Sequence, residues 1–209
     1  MRSSANAQVF HYQNGKEEKG YAICLVCGAS EAITEAQKGK FLKDHKRLRG
    51  GKDGDKETKC PGNDQPWAIK GSIEQPLWLG AYLNTDAFEL QLPLNTPEAQ
   101  TAAWTLAVAL RSALSAELGI EAREINFTAQ TANGYWSAVV FDQASGGAGY
   151  SSQAQALLPK LIERVRRILD CPAKCEKACQ HCLLDYQTQH KVKELDRLMT
   201  PFSLAASSR

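Results

Sequence analysis

No stretch of this chain approaches the ~20 consecutive apolar residues that a membrane-spanning helix needs, and Met1-Arg2-Ser3-Ser4-Ala5-Asn6 lacks the apolar core of a secretion signal. The expected setting is cytoplasmic, with no membrane partner. Excess charge is missing too: 25 Lys and Arg stand against 23 Asp and Glu, a formal net charge of +2, which by itself announces no nucleic-acid partner. There is no Walker motif, no recognisable helicase or nuclease set of Lys, Asp and Glu, and no Cys-His-Asn/Asp arrangement for thiol catalysis. These absences leave a non-catalytic protein as the first expectation. With 209 residues, 43% hydrophobic and 23% charged, the chain can still bury one or two compact cores.

Cysteine is what the sequence does have. Six of its seven cysteines fall in two groups: Cys24 and Cys27 form a C-x-x-C pair, and Cys171, Cys175, Cys179 and Cys182 lie close together near the other end. A reducing compartment keeps thiols free, and neighbouring disulfides at such spacing are sterically awkward. Four adjacent thiolates instead close a tetrahedral site around Zn2+, leaving no open position for a substrate, so the expected role is structural. The rival is an iron–sulfur cluster, because Cys175-x-x-x-Cys179-x-x-Cys182 also has the three-cysteine spacing of radical S-adenosylmethionine enzymes. At the N-terminal end Cys24 and Cys27 need two more ligands, for which His45 and Cys60 are the candidates, with Cys60-Pro61-Gly62 as a second knuckle. The alternative for His45 is an exposed histidine in a basic loop.

That loop runs from Lys38 to Lys59. Its cations, Lys43, Lys46, Arg47 and Arg49 among them, outnumber its carboxylates, and glycines 50, 51 and 54 lie in its middle. Phosphate contact and an ordinary solvated surface are both readings of such a stretch. Further along, Gln8–Gln13 alternates and meets Asn14-Gly15, a hairpin signal. Short alternating stretches over Trp67–Ile73, Pro76–Leu83 and Ala87–Leu94 predict antiparallel strands. Thr96-Pro97 opens a helix whose apolar face includes Ala102, Leu106, Leu110 and Leu114, and Gly119 ends it. A hairpin follows, turning at Asn133-Gly134, and then a second helix with an apolar stripe through Leu161, Val165 and Leu169 and a basic face of Lys160, Arg164 and Arg167, further candidates for phosphate contact. Between strand and helix, Ser145-Gly146-Gly147-Ala148-Gly149 stands where backbone N–H groups can hold phosphate, but it lacks the P-loop ending and reads as a structural turn. The fold class is thus α+β: an antiparallel β-rich core with two main helices and one or two structural zinc sites. The expected divisions are a zinc-knuckle region over 1–66, a core over 67–170 and a four-cysteine segment over 171–209.

Several pieces taken together resemble a known family. Cys24-Leu25-Val26-Cys27-Gly28, Cys60-Pro61-Gly62, Thr85-Asp86-Ala87-Phe88-Glu89-Leu90, Phe141-Asp142-Gln143-Ala144-Ser145-Gly146-Gly147-Ala148-Gly149-Tyr150, Cys179-Gln180-His181-Cys182-Leu183-Leu184-Asp185-Tyr186-Gln187-Thr188-Gln189 and Leu195-Asp196-Arg197 look like the helicase-associated MrfA-type zinc-binding domain. Ala144-Ser145 departs from the Thr/Val-Pro often found before the glycines. The family occurs at the C-terminal end of superfamily 2 DNA helicases and in the DrmB subunit of the DISARM anti-phage system. The resemblance implies structural zinc on Cys171, Cys175, Cys179 and Cys182 and work beside a superfamily 2 helicase or motor subunit, with DNA as a further partner, in antiviral defence or DNA repair. A free-standing subunit and a piece of a larger helicase both fit. An iron–sulfur redox or radical enzyme and a purely protein-binding scaffold are the competing readings.

Overall fold

The computed structural model describes residues 1–34, 60, 73–93 and 96–200. His45, the basic stretch with Lys43, Lys46, Arg47 and Arg49, the Pro61-Gly62 part of the second knuckle and most of the strand expected over Trp67–Ile73 lie outside the described residues. The fold is α+β, with antiparallel strands and two main helices. In chain order the elements are β1 (Arg2–Gln13), β2 (Tyr21–Cys24), β3 (Ser30–Ala32), β4 (Ile73–Leu77), β5 (Leu79–Gln91), α1 (Pro97–Leu118), β6 (Ile125–Ala132), β7 (Tyr135–Asp142) and α2 (Ala154–Leu169). The chain divides into two compact units, Met1–Val9 with Leu83–Arg209, and Phe10–Tyr82. Among the described residues, no helix is long and apolar enough to cross a membrane.

The larger unit is built on a sheet in the order β1-β5-β7-β6. β7 lies antiparallel to both neighbours, with Phe88 opposite Val140 and Phe127 opposite Val140 from the other side. The two-residue period of a strand sorts its side chains: Phe88, Ala138 and Val140 enter the main core with the helices, whereas Ala87, Val139 and Phe141 form a smaller cluster on the opposite face with Ala7 and Val9. The β6–β7 turn sits on Asn133 (φ 53°) and Gly134 (φ 80°), the left-handed pair that a tight hairpin favours.

Two sequence expectations change here. The stretch read as Pro76–Leu83 is divided between the end of β4 and β5, and β5 runs on into the strand read as Ala87–Leu94, because the polar triplet Asn84-Thr85-Asp86 makes no turn. Thr85 Oγ1 instead donates to the carbonyls of Asp142 (2.9 Å) and Ala144 (3.0 Å), and the Asp86 carboxylate accepts the N–H groups of Asn6 (3.2 Å) and Gly149 (2.9 Å). Likewise α1 is not buried on one face only. Ala103, Thr105, Ala107, Val108, Arg111 and Ser115 are buried along with the expected stripe, because α1 packs on β6 and β7 and also against α2 and the segment after it. Its many alanines let these neighbours approach closely. Thr96 in extended backbone, Pro97 in the first turn and Gly119 at φ 68° bound the helix as expected.

The smaller unit carries a three-stranded sheet in the order β3-β2-β4. Asn14-Gly15 does not close a β1–β2 hairpin: the chain passes through a 3-10 turn at Lys16–Glu18, with Gly20 N–H bonding back to the Asn14 carbonyl at 2.6 Å, and β2 pairs with β3 and β4. The buried apolar cluster described in this unit is Ala22, Cys24, Ala29, Ile33 and Cys60. Two of its members, Cys24 and Cys60, are cysteines.

Candidate metal centres

α2 delivers the chain directly into Cys171, and the four thiols of Cys171, Cys175, Cys179 and Cys182 lie within 4.8 Å of one another. Their resolved edges are 3.6 Å (Cys171–Cys179), 3.7 Å (Cys175–Cys182) and 3.8 Å (Cys179–Cys182). A tetrahedral zinc ion with Zn–S bonds of about 2.3 Å has sulfur–sulfur edges of about 3.8 Å. Disulfides would bring the sulfurs far closer, to about 2.05 Å. A multi-iron cluster places thiolates on different irons and so farther apart than thiolates sharing one ion. The donor set therefore fits one structural Zn2+.

Local backbone geometry explains how the loop presents its sulfurs. The Cys179 carbonyl accepts the N–H groups of Cys182, Leu183 and Leu184 (3.0–3.1 Å), and Cys179 N–H donates to the Cys182 sulfur at 3.3 Å, the tight turn of a knuckle. Lys174 takes a left-handed backbone (φ 47°), and its N–H bonds to the Cys171 carbonyl. Electrostatics ask for a cation. The Cys171 thiol is pulled down to about 6, foremost by the backbone N–H of Cys175, whereas burial pushes Cys182 up to about 12 and also raises Cys175. Such a cluster accepts one negative charge readily and resists the next, and a divalent ion is what allows all four to ionise.

Residues that sequence reasoning gave no role hold this loop in place. Arg197 donates to the carbonyls of Cys175 (2.7 Å) and Leu169 (3.2 Å), tying the loop to the end of α2. Asp196 N–H donates to Thr105 Oγ1 (3.0 Å), and that hydroxyl donates to the Asp196 carbonyl (3.3 Å), fastening the same segment to α1. Leu183 and Leu195 enter the main core. Arg111, 1% exposed in the middle of α1, pairs with Asp185 and lies 5.3 Å from the Phe127 ring centre. A charged side chain inside an apolar periodicity was the signal available for Arg111, but its partner is far away in sequence.

In the smaller unit the thiols of Cys24, Cys27 and Cys60 also lie within 4.8 Å of one another, with Cys24 and Cys60 at 3.7 Å. Gly28, at φ 77°, lets its N–H return to the Cys24 carbonyl (2.7 Å) while Cys24 N–H bonds to Ala29 (2.8 Å). Three of the four expected ligands thus come together; the fourth, His45, lies outside the described residues.

The candidate phosphate contacts on α2 are engaged elsewhere. Lys160 (3.2 Å) and Arg164 (2.7 Å) both grip Glu117 near the end of α1, and Arg167 pairs with Glu163 one turn away. Arg164, then Lys160, holds the Glu117 carboxyl below its ordinary value. The glycine-rich turn has its N–H groups filled from within: Asp142 accepts those of Ala148 (2.8 Å), Tyr150 (3.0 Å) and Ser151 (2.8 Å), and Asp86 accepts that of Gly149.

Comparison with known proteins agrees with the metal chemistry. Residues 106–183, which include all four clustered C-terminal cysteines, match the MrfA Zn-binding domain family. The chain is 25% identical to the Druantia protein DruE of Escherichia coli (strain UMEA 4076-1) over 88% of its own length, and covers 11% of DruE. Among solved structures it is similar to the DUF1998 helicase MrfA bound to DNA, with 16% identity and a TM-score of 0.43 over 59% of this chain and 18% of that one. The chain spans a small part of the long proteins it is similar to, and the part it shares with the family includes the four-thiolate zinc site.

Proposed function

We propose that this chain is a non-catalytic, zinc-braced module that works beside a superfamily 2 DNA motor, in the cytoplasm, as part of a prokaryotic antiviral defence. The single observation that carries the reading is the closed four-thiolate site, with edges of 3.6–3.8 Å, inside the residues that match the MrfA Zn-binding domain family. A closed site offers no coordination position to a substrate, so its zinc supplies folding free energy and rigidity. Similarity to a Druantia protein over 88% of the chain favours defence over DNA repair, and Druantia over DISARM. His45 completes the N-terminal site in this reading. Direct nucleic-acid contact falls to the basic stretch with Lys43, Lys46, Arg47 and Arg49, because Lys160, Arg164 and Arg167 already serve carboxylates.

The test is metal analysis coupled to partner capture. The purified chain should be colourless and hold two zinc ions. It should copurify with a helicase subunit or, where the chain is joined to one, support DNA-stimulated ATP hydrolysis that Cys182→Ser abolishes. Iron with labile sulfide in an anaerobic preparation would replace the reading with a redox one. Salt-dependent binding to DNA separates a nucleic-acid contact from a protein-binding scaffold, since each phosphate neutralised steepens the loss of affinity with salt.

A further inference from the structure

Tyr186 follows the zinc loop by four residues and is 88% exposed, yet it is not carried on a loose tip. Its preceding neighbour Asp185 is locked three ways: Oδ2 pairs with the buried Arg111, Oδ1 accepts the N–H groups of Gln187 (2.8 Å) and Thr188 (2.9 Å), and its own N–H donates to Thr188 Oγ1 (2.6 Å). Thr188, fully buried, donates in turn to the Leu183 carbonyl (2.9 Å). These bonds fix the main chain around Tyr186, so little backbone ordering is left to be lost when something packs on its ring.

What surrounds the ring defines that contact. Tyr186 lines two clefts. One, of about 360 Å³, is walled by Trp104 and Phe127, with Asn126, Gln187, His190 and Lys191 at its sides. The other, of about 430 Å³, is shared with Gln180, Leu184, Asp185 and Gln189. The first holds three aromatic rings, two amides and two groups able to carry positive charge, with no carboxylate in its lining. Lys191 sits 4.2 Å from the Trp104 ring centre and pairs with Glu194 at 3.0 Å, so its charge, like those on α2, already serves a carboxylate. Among the described residues neither the Tyr186 hydroxyl nor the His190 imidazole has a hydrogen-bond partner. The volume equals that of about a dozen liquid waters, room for a base and its sugar. Flat rings for stacking and amides for base edges are the means by which unstacked bases of single-stranded nucleic acid are held.

We infer that the clefts beside Tyr186 bind single-stranded nucleic acid, with unstacked bases against the Tyr186 ring. This deepens the proposed nucleic-acid contact and rests on it. The test uses the full, zinc-loaded chain and fluorescence anisotropy with two labelled oligonucleotides of about a dozen residues, within the reach of one small binding fold: oligothymidylate and an abasic strand of equal length. The expected result is a preference for bases over the abasic strand of about 5- to 150-fold, the effect of one stacked aromatic. Tyr186→Ala should erase that preference while leaving abasic affinity and its salt dependence unchanged, and Tyr186→Phe should retain it. Equal binding of both strands by the unaltered chain, or a preference that survives Tyr186→Ala, would overturn this inference and leave salt-dependent nucleic-acid contact standing. Absence of binding to either strand would overturn both.

Discussion

Gly147 has no room for a side chain: a Cβ there would lie 2.6 Å from Asp86 Cγ and 2.9 Å from its backbone nitrogen, at φ +79°. Its neighbour Gly146 has φ +87° and nothing within 4 Å of the same position. The pair separates two costs that a glycine-rich motif confounds. Gly146→Ala should cost about 1 kcal/mol, the conformational penalty alone. Gly147→Ala should cost about 2–4 kcal/mol, because the collision with Asp86 is added to it. Urea midpoints of the two variants check this. The Arg111–Asp185 pair offers a second asymmetry. Asp185→Ala leaves a buried guanidinium whose Nε and Nη1 already lack partners, and should cost about 3 kcal/mol, whereas Arg111→Met leaves a carboxylate that water can reach and should cost less. Partial burial pushes the Asp185 carboxyl up, but the Arg111 guanidinium and hydrogen bonds from Thr188 outweigh it, and the carboxyl ends below its ordinary value. A carboxyl more acidic when folded than when unfolded contributes stability above its unfolded value near 3.9. That contribution disappears as pH falls through the lower folded value. The stability gap between the natural chain and Asp185→Asn should therefore narrow steadily below about pH 4.

At the scale of elements, the zinc loop is less an appendage than the fastening of the helix pair. α1 reaches it through Thr105 and Arg111, and α2 through the carbonyl of Leu169. Cys182→Ser should remove one zinc ion and loosen α1 against α2, seen as faster amide exchange along Leu161, Val165 and Leu169. Cys24→Ser should remove a different zinc ion and leave that exchange unchanged. Much of this architecture was legible beforehand. Pro97 and Gly119 bounded α1, Asn133-Gly134 fixed the hairpin, and four clustered cysteines announced their site, because each of these signals acts over a few residues. Unreadable were the pairings across long intervals: Thr85 with Asp142, Arg111 with Asp185, Arg197 with Cys175. Asn84-Thr85-Asp86 looks like a turn by composition, and only the approach of the glycine-rich segment turns it into strand. A two-sided helix such as α1 also looks one-sided when alanine is the residue on its second buried face.

For the molecule as a whole, both metal sites depend on thiolates, so protons and chelators act on the fold through the same groups. Acidification or a chelator should release zinc and lower the melting temperature together, and the shift should grow with the excess of free zinc over its dissociation constant when metal is restored. Titrating a zinc-free preparation while following circular dichroism would show it. The helical signal comes from α1 and α2 of the larger unit and should therefore report on the zinc held by Cys171, Cys175, Cys179 and Cys182. One further consequence follows from the carboxylates of Asp86 and Asp142, which fill the backbone N–H groups of the glycine-rich turn. In the proposed setting, beside a motor that hydrolyses ATP, the chain would be bathed in fuel and exhaust, both of them phosphates. An open loop of this kind would sense them; this one is plugged by its own anions and should be deaf to the engine's cycle, its melting temperature the same with or without millimolar nucleotide.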